Sequence, residues 1–163
     1  MTVVSNASPL ISLAKAEYLF VLERLFGAVH ITNEVHGETT RAGRGGAELI
    51  AGAAWLHVIS LRDTAQLASW EREYRLGMGE LSTLRLAQEL MADIAIIDER
   101  KARVLAHRLG ISVVGTIGLL EESYTRKIIA DLRTAYMKLL ENGTYIDQRL
   151  LNSSLRTFDL PAL

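Results

Sequence analysis

The fold is decided at residues 3–13, which read VVSNASPLISL. Val3 and Val4 are β-branched and apolar, which predicts a short strand buried on both faces, as in parallel sheets. Ser8 followed by Pro9 predicts a helix N-cap with proline at the first helical position. A buried strand therefore gives way at once to a helix. Asn6 and Ser8 lie at this turn, the carboxyl end of a strand, where α/β proteins place their chemistry.

Strand and helix patterns alternate along most of the chain. Short apolar segments predict strands at residues 2–4, 28–31, 55–61, 94–97 and 112–114. Amphipathic helical patterns separate them, and this alternation predicts an α/β fold with a mostly parallel sheet and helices on both faces. The whole chain, 163 residues, is long enough for one domain with a real core. We expect a single domain, with a C-terminal helical appendage from about residue 131 to 155.

The composition is that of a globular protein, with 49% hydrophobic and 23% charged residues. The absence of cysteine excludes disulfides and thiolate metal sites, and it fits a reducing cytosol. No apolar run approaches the roughly 20 residues that cross a bilayer. The start of the chain shows no signal-peptide pattern. We therefore expect a cytoplasmic protein that does not associate with membranes.

The net charge of −1 indicates that no global field attracts nucleic acid. Binding of RNA or DNA would need a local basic patch, and the densest one comprises Arg100, Lys101, Arg103 and Arg108. A solvated helix face explains such a cluster equally well.

Three carboxylates follow strand ends or begin helices. Asp98 ends the buried strand at 94–97, although it could simply cap the next helix. Glu38 lies in the helix after the second strand, where a surface glutamate is the simpler interpretation. Glu80 lies in a first helical turn, a position that the helix dipole favours for any acid.

Taken together, these acids suggest a metal site. Such positions converge in a parallel sheet, and carboxylates around one cleft repel each other unless a divalent cation neutralises them. Oxygen ligands of this kind suit Mg²⁺ or Mn²⁺, which can support phosphodiester cleavage. Ser8 and Thr116 could add hydroxyl groups, or could serve only as helix caps.

Several stretches resemble one known family, and they cover nearly the whole chain. They are VSNASPLI at 4–11, VHITNEVHGE at 29–38, GE at 79–80, IDERKAR at 97–103, Gly110, and VGTIGLL at 114–120. The chain resembles a PIN domain, and most of all the VapC-related, toxin-like ribonucleases that were long described only as a domain of unknown function.

This resemblance implies a three-layer α/β/α fold and metal-dependent cleavage of single-stranded RNA with Mg²⁺ or Mn²⁺. It further implies a toxin of a type II toxin–antitoxin pair, a cognate antitoxin protein that inhibits it, and a homodimer. The four catalytic positions of the family fall on Asn6, Glu38, Glu80 and Asp98. The supporting hydroxyl groups fall on Ser8 and Thr116.

In the site so implied, Asn6, Glu80 and Asp98 hold the metal and Glu38 orients the attacking water. Arg100 or Arg103 contacts a substrate phosphate. Asn6 departs from the family pattern, which has an acid there. An amide oxygen can ligate Mg²⁺ but brings no charge, and one charge at about 4 Å is worth on the order of 4 kcal/mol before desolvation at an effective ε near 20.

Two alternatives to the nuclease stay open. The first is a catalytically weak or inactive PIN-like module that binds RNA or a protein partner, which Asn6 and the near-neutral charge favour. The second is an α/β phosphoryl-binding domain of unrelated chemistry, which requires Glu38 and Glu80 to lie far from Asp98.

Overall fold

The computed structural model describes residues 1–163 and contains five strands and ten helices. The strands are β1 (Val3–Ser5), β2 (Val29–Thr32), β3 (Leu56–Ile59), β4 (Ile94–Ile96) and β5 (Val113–Val114). The first five helices are α1 (Ala7–Lys15), α2 (Phe20–Phe26), α3 (Asn33–Thr39), α4 (Ala47–Ala51) and α5 (Leu67–Tyr74). The others are α6 (Met78–Leu90), α7 (Arg100–Arg108), α8 (Thr116–Thr125), α9 (Leu132–Glu141) and α10 (Gln148–Thr157).

The strands form one sheet in the order β3-β2-β1-β4-β5. Every pairing is parallel, so the predicted mostly parallel sheet is confirmed, and all five predicted strands are present. β1 is central and pairs with β2 on one side and β4 on the other. Its Val3 and Val4 are completely buried, as a strand covered on both faces requires.

Successive residues of β1 pack into two separate hydrophobic cores. Val3 packs in a core built with α1, α2, α8, α9 and α10, whereas Val4 packs in a core built with α5, α6 and α7. This alternation follows from the two-residue period of a strand. It divides the molecule into three layers, which confirms the predicted α/β/α architecture.

The segment predicted as a helical appendage corresponds to α9 and α10. Leu139 of α9 and Leu155 of α10 are fully buried in the same core as Val3. None of the ten helices is both long enough and apolar enough to cross a membrane.

The predicted start of α1 is wrong by two residues. The N-cap is Asn6, whose backbone is still extended (φ −80°, ψ 171°), and the helix begins at Ala7. Ser8 and Pro9 therefore lie inside the first turn. The backbone N–H groups of the first turn have no partner within the helix, so proline is tolerated at any of these positions and does not by itself mark the first one.

Candidate functional site

Four of the predicted site residues lie at one edge of the sheet, where the parallel strands end. Asn6 directly follows β1, and Asp98 follows β4 after one further residue. Glu38 belongs to α3, which follows β2, and Thr116 begins α8 after β5. Because the strand order is β2-β1-β4-β5 across this edge, Asn6 lies between Glu38 on one side and Asp98 on the other.

Asn6 is held by the sheet. Its backbone N–H donates to the carbonyl oxygen of Ile96, with an N···O distance of 3.0 Å. This bond continues the pairing of β1 with β4. The residue is 2% exposed, and although it occupies the N-cap position of α1, its side chain makes no capping bond. The backbone of Asn6 is thus fixed at the strand end, and its side-chain amide does not cap the helix.

Asp98 is hydrogen-bonded to the first residue of α8. Its Oδ1 accepts a hydrogen bond from the backbone N–H of Thr116 at 2.7 Å, and its Oδ2 accepts one from Thr116 Oγ1 at 2.6 Å. The N-cap of α7 is instead Glu99, which accepts from the backbone N–H of Ala102 at 2.7 Å. The alternative in which Asp98 merely caps the following helix is therefore wrong.

Glu38 and Glu80 lie side by side. Glu80 is in the first turn of α6, and that turn is held near the end of β1 because Thr83 Oγ1 donates to the carbonyl oxygens of Gly79 at 2.8 Å and Ser5 at 3.5 Å. The Glu38 carboxylate packs directly against Gly79, where a Cβ atom would overlap Oε1 and lie 3.2 Å from Cδ. The two carboxylates come from different helices and meet because α3 packs on α6.

The electrostatics of this pair are unfavourable. Partial burial raises the pKa of Glu38, and repulsion from Glu80 raises it further. Arg44 and Arg41 lower this pKa, but their effects are the smaller ones. A divalent cation beside the pair would relieve the repulsion, as expected for acids that face one cleft.

A broad groove opens from Asp98. Ser8 of α1 and Arg100 and Arg103 of α7 line it. Ser8 and Arg100 are exposed, whereas Arg103 is half-buried and its Nη1 donates to the carbonyl oxygen of Ile97 at 3.1 Å. The groove therefore contains a carboxylate, a hydroxyl group and two guanidinium groups at the sheet edge.

The structure contains no group of three histidine, aspartate or glutamate side chains close enough to share one metal ion. The acids are divided between the Glu38–Glu80 pair and Asp98, and Asn6 follows the central strand, which lies between β2 and β4. Carboxylate and amide oxygens are hard ligands that fit Mg²⁺ or Mn²⁺. The donor types at this edge of the sheet therefore fit such a cation in chemistry.

Two glycines leave space for side chains of the site, and the sequence alone did not single them out. Gly79 leaves room for Glu38, and Gly115 leaves room where a Cβ atom would lie 2.6 Å from Arg103 Nη1 and 2.9 Å from Asp98 Oδ1. Each stands directly before a predicted site residue, in the pairs Gly79-Glu80 and Gly115-Thr116. That adjacency was the available signal, but the close approach depends on a distant helix in both cases.

Comparison with protein families matches residues 2–159 to the PIN domain. Comparison with curated proteins gives no significant match. The matched range includes every predicted site residue and all ten helices. It agrees with the parallel five-stranded sheet and with the acids at its carboxyl edge. The chain therefore belongs to the PIN-domain family.

Proposed function

We propose that this protein is a metal-dependent endoribonuclease that cleaves single-stranded RNA. Membership of the PIN family carries the proposal, because PIN domains are in general nucleases that use divalent metals. The chemistry of Asn6, Glu38, Glu80 and Asp98 at one sheet edge supports it. The alternative of a phosphoryl-binding domain with unrelated chemistry loses support, because Glu38 and Glu80 lie on the same edge of the sheet as Asp98.

In this proposal Glu80, Asp98 and the amide oxygen of Asn6 hold Mg²⁺ or Mn²⁺. A bound ion would stabilise the negative charge that develops on the phosphate and its leaving oxygen. Thr116 positions Asp98 through its two hydrogen bonds. Glu38 orients the attacking water.

The side chains of the groove would bind the substrate. Arg103 lies beside Asp98 at Gly115, so its guanidinium can contact the scissile phosphate. Arg100, exposed one turn earlier on α7, can contact a neighbouring phosphate. Ser8, exposed on α1, offers a hydroxyl group to the same strand.

Cleavage of a mixed RNA pool in Mg²⁺ or Mn²⁺ tests the proposal. Wild type should cut, Asp98→Ala should lose activity, and Asn6→Asp should cut faster than wild type. If wild type and Asp98→Ala were equally inert while Asn6→Asp cut well, the natural protein would not be a nuclease.

The second candidate function is a PIN module that binds RNA or a protein partner without cutting. The separation of Asp98 from the Glu38–Glu80 pair favours it, because no three acids converge. Titration with Mn²⁺ distinguishes the two functions. A rise in melting temperature at millimolar Mn²⁺ is expected for the nuclease, and no response is expected for the binding module.

We further propose that the protein acts in the cytoplasm as the toxin of a type II toxin–antitoxin pair, forms a homodimer, and is inhibited by its antitoxin. Met137 of α9 is 37% exposed and would contribute to such an interface. Light scattering of the purified chain tests the dimer. Growth arrest on expression, reversed by co-expression of the neighbouring gene, tests the toxin role.

A further inference from the structure

We propose that Tyr145 is a base-stacking residue for single-stranded RNA bound in the groove that begins at Asp98. The inference rests on the proposed ribonuclease function and adds the path that the bound RNA takes along the groove. Tyr145 belongs to the loop between α9 and α10 and lines the same groove as Asp98 and Arg103. A strand that places a phosphate at Asp98 and follows the groove would therefore meet this ring.

The cations of the groove are available to phosphates. Lys15, Arg44, Arg100 and Arg108 line it, and none of them forms an ion pair within the chain. They come from α1, the loop before α4, and α7, so they surround the groove. Several unpaired cations around one groove can bind several phosphates of a polyanion at the same time.

The acids of the groove are already engaged. Glu99 caps α7, Glu121 accepts a hydrogen bond from Ser154 Oγ at 2.6 Å, and Asp147 pairs with Arg149 at 2.9 Å. The lining carries five lysine and arginine side chains against four carboxylates, those of Asp98, Glu99, Glu121 and Asp147, and Arg149 pairs with one of these carboxylates. The groove is therefore locally positive, although the chain as a whole carries −1. This local excess of positive charge favours a polyanion such as RNA as the occupant.

Nothing in the fold explains the position of Tyr145. Its relative exposure is 104%, so the ring buries no area against the rest of the chain. The preceding Gly143 has φ +79°, which turns the chain after α9, and Asp147 caps α10, so the loop is defined at both ends. An exposed ring beside unpaired cations is the combination that binds successive nucleotides of a single strand, since every base has a face to stack.

The test measures binding of fluorescently labelled oligouridine by anisotropy, with metal chelated so that no cleavage occurs. Tyr145→Ala should weaken binding by about 5-fold or more, the range for loss of one stacked base. Tyr145→Phe keeps the ring and should stay within about twofold of wild type. Phe20→Ala, which removes an exposed aromatic ring outside the groove, should bind as wild type does.

Two further measurements separate stacking from other roles. An abasic site is moved along the oligonucleotide, and at one position it should weaken binding to wild type but not to Tyr145→Ala. Tyr145→Ala should leave the salt dependence of binding unchanged, whereas Arg100→Ala should reduce the slope of log K against log salt by about 0.7.

The outcomes distinguish this inference from the proposed function. If wild type and Arg100→Ala behave as expected but Tyr145→Ala binds as wild type, the stacking site is overturned and the ribonuclease proposal stands. If Tyr145→Ala loses the same affinity for every abasic strand, the tyrosine acts on the backbone and stacking is overturned. If wild type binds no RNA at any salt concentration, both proposals fail together.

Discussion

At the scale of single residues, position 6 carries an amide where the resemblance implies an acid. Asn6 has the burial and backbone anchoring of a structural residue, yet its side chain makes no capping bond. We expect Asn6→Asp to bind Mn²⁺ at least about tenfold more tightly, because one added charge is worth on the order of 4 kcal/mol at about 4 Å before desolvation. Calorimetric titration with Mn²⁺ measures the effect.

Asn152→Asp is the matched control for this substitution. Asn152 uses its side-chain oxygen to accept a bond from the backbone N–H of Leu163, and aspartate retains that acceptor. Asn152 lies on α10, outside the sheet edge, so the substitution adds the same charge at a place where it cannot ligate the metal. Equal gains in Mn²⁺ affinity from both substitutions would show a general charge effect and would contradict a ligand role for position 6.

The ionisation of Glu38 makes the stability of the fold depend on pH. Its pKa is raised above the ordinary value of 4.5, first by burial and then by Glu80. A carboxylate with a raised folded-state pKa favours the fold when protonated. This contribution is fully present below the unfolded pKa and is lost as pH rises through the folded one. We therefore expect Glu38→Gln to melt at a higher temperature than wild type near neutral pH, and the difference to vanish below the ordinary glutamate pKa.

Thermal unfolding across this pH range, without metal, checks the sign. Glu141→Gln is the control, because Glu141 is exposed at the end of α9. It should change stability by no more than about 0.5 kcal/mol at any pH. A Glu38→Gln protein that is less stable than wild type near neutral pH would contradict the repulsion between Glu38 and Glu80.

At the scale of elements, the contact between α3 and α6 forms half of the site. Gly79→Ala should displace the Glu38 carboxylate, because a Cβ atom would overlap it. The displaced group is the flexible end of a side chain, and alanine favours a helix by up to about 1 kcal/mol over glycine. We expect stability to be retained while cleavage and the thermal response to Mn²⁺ decline.

Gly37→Ala makes the same change in α3 where a Cβ atom would meet nothing within 4 Å. It should gain up to about 1 kcal/mol of stability and leave the Mn²⁺ response intact. The two variants are compared by thermal unfolding with and without Mn²⁺. An unchanged Mn²⁺ response in Gly79→Ala would mean that the charge of Glu38 next to Glu80 does not contribute to metal affinity.

At the scale of the whole molecule, the C-terminal helices share the core of the sheet. Leu139 is fully buried with Val3 and Leu10 in one cluster. Leu139→Ala should therefore cost about 2–5 kcal/mol of unfolding free energy in a single transition. Met137→Ala, on the same helix and 37% exposed, should cost much less, about 0.5 kcal/mol. Urea denaturation compares them, and a separate early transition in Leu139→Ala would show that α9 and α10 unfold on their own.

The local features of the site were predictable to different degrees. The placement of Asp98 at a strand end follows from the apolar segment before it, and Thr116 follows from the same logic on the next strand. The caps were not predictable, because several polar residues compete at each turn. Asn6, and not Ser8, is the N-cap residue of α1. Glu99 caps α7, and Asp98 accepts a hydrogen bond from Thr116 instead.

The sequence by itself determined the five strands and the three layers, because short continuous apolar segments and helical apolar periods are local signals of the two kinds of element. Only the tertiary structure decided which acids meet. Glu38 reaches Glu80 through the packing of α3 on α6, and Asp98 is drawn to Thr116 through the pairing of β4 with β5. Such contacts depend on strand order and on space at Gly79 and Gly115, which no local pattern encodes. The same holds for Tyr145, whose place in the groove is set by the packing of α9 on α1 and α8 and of α10 on α8.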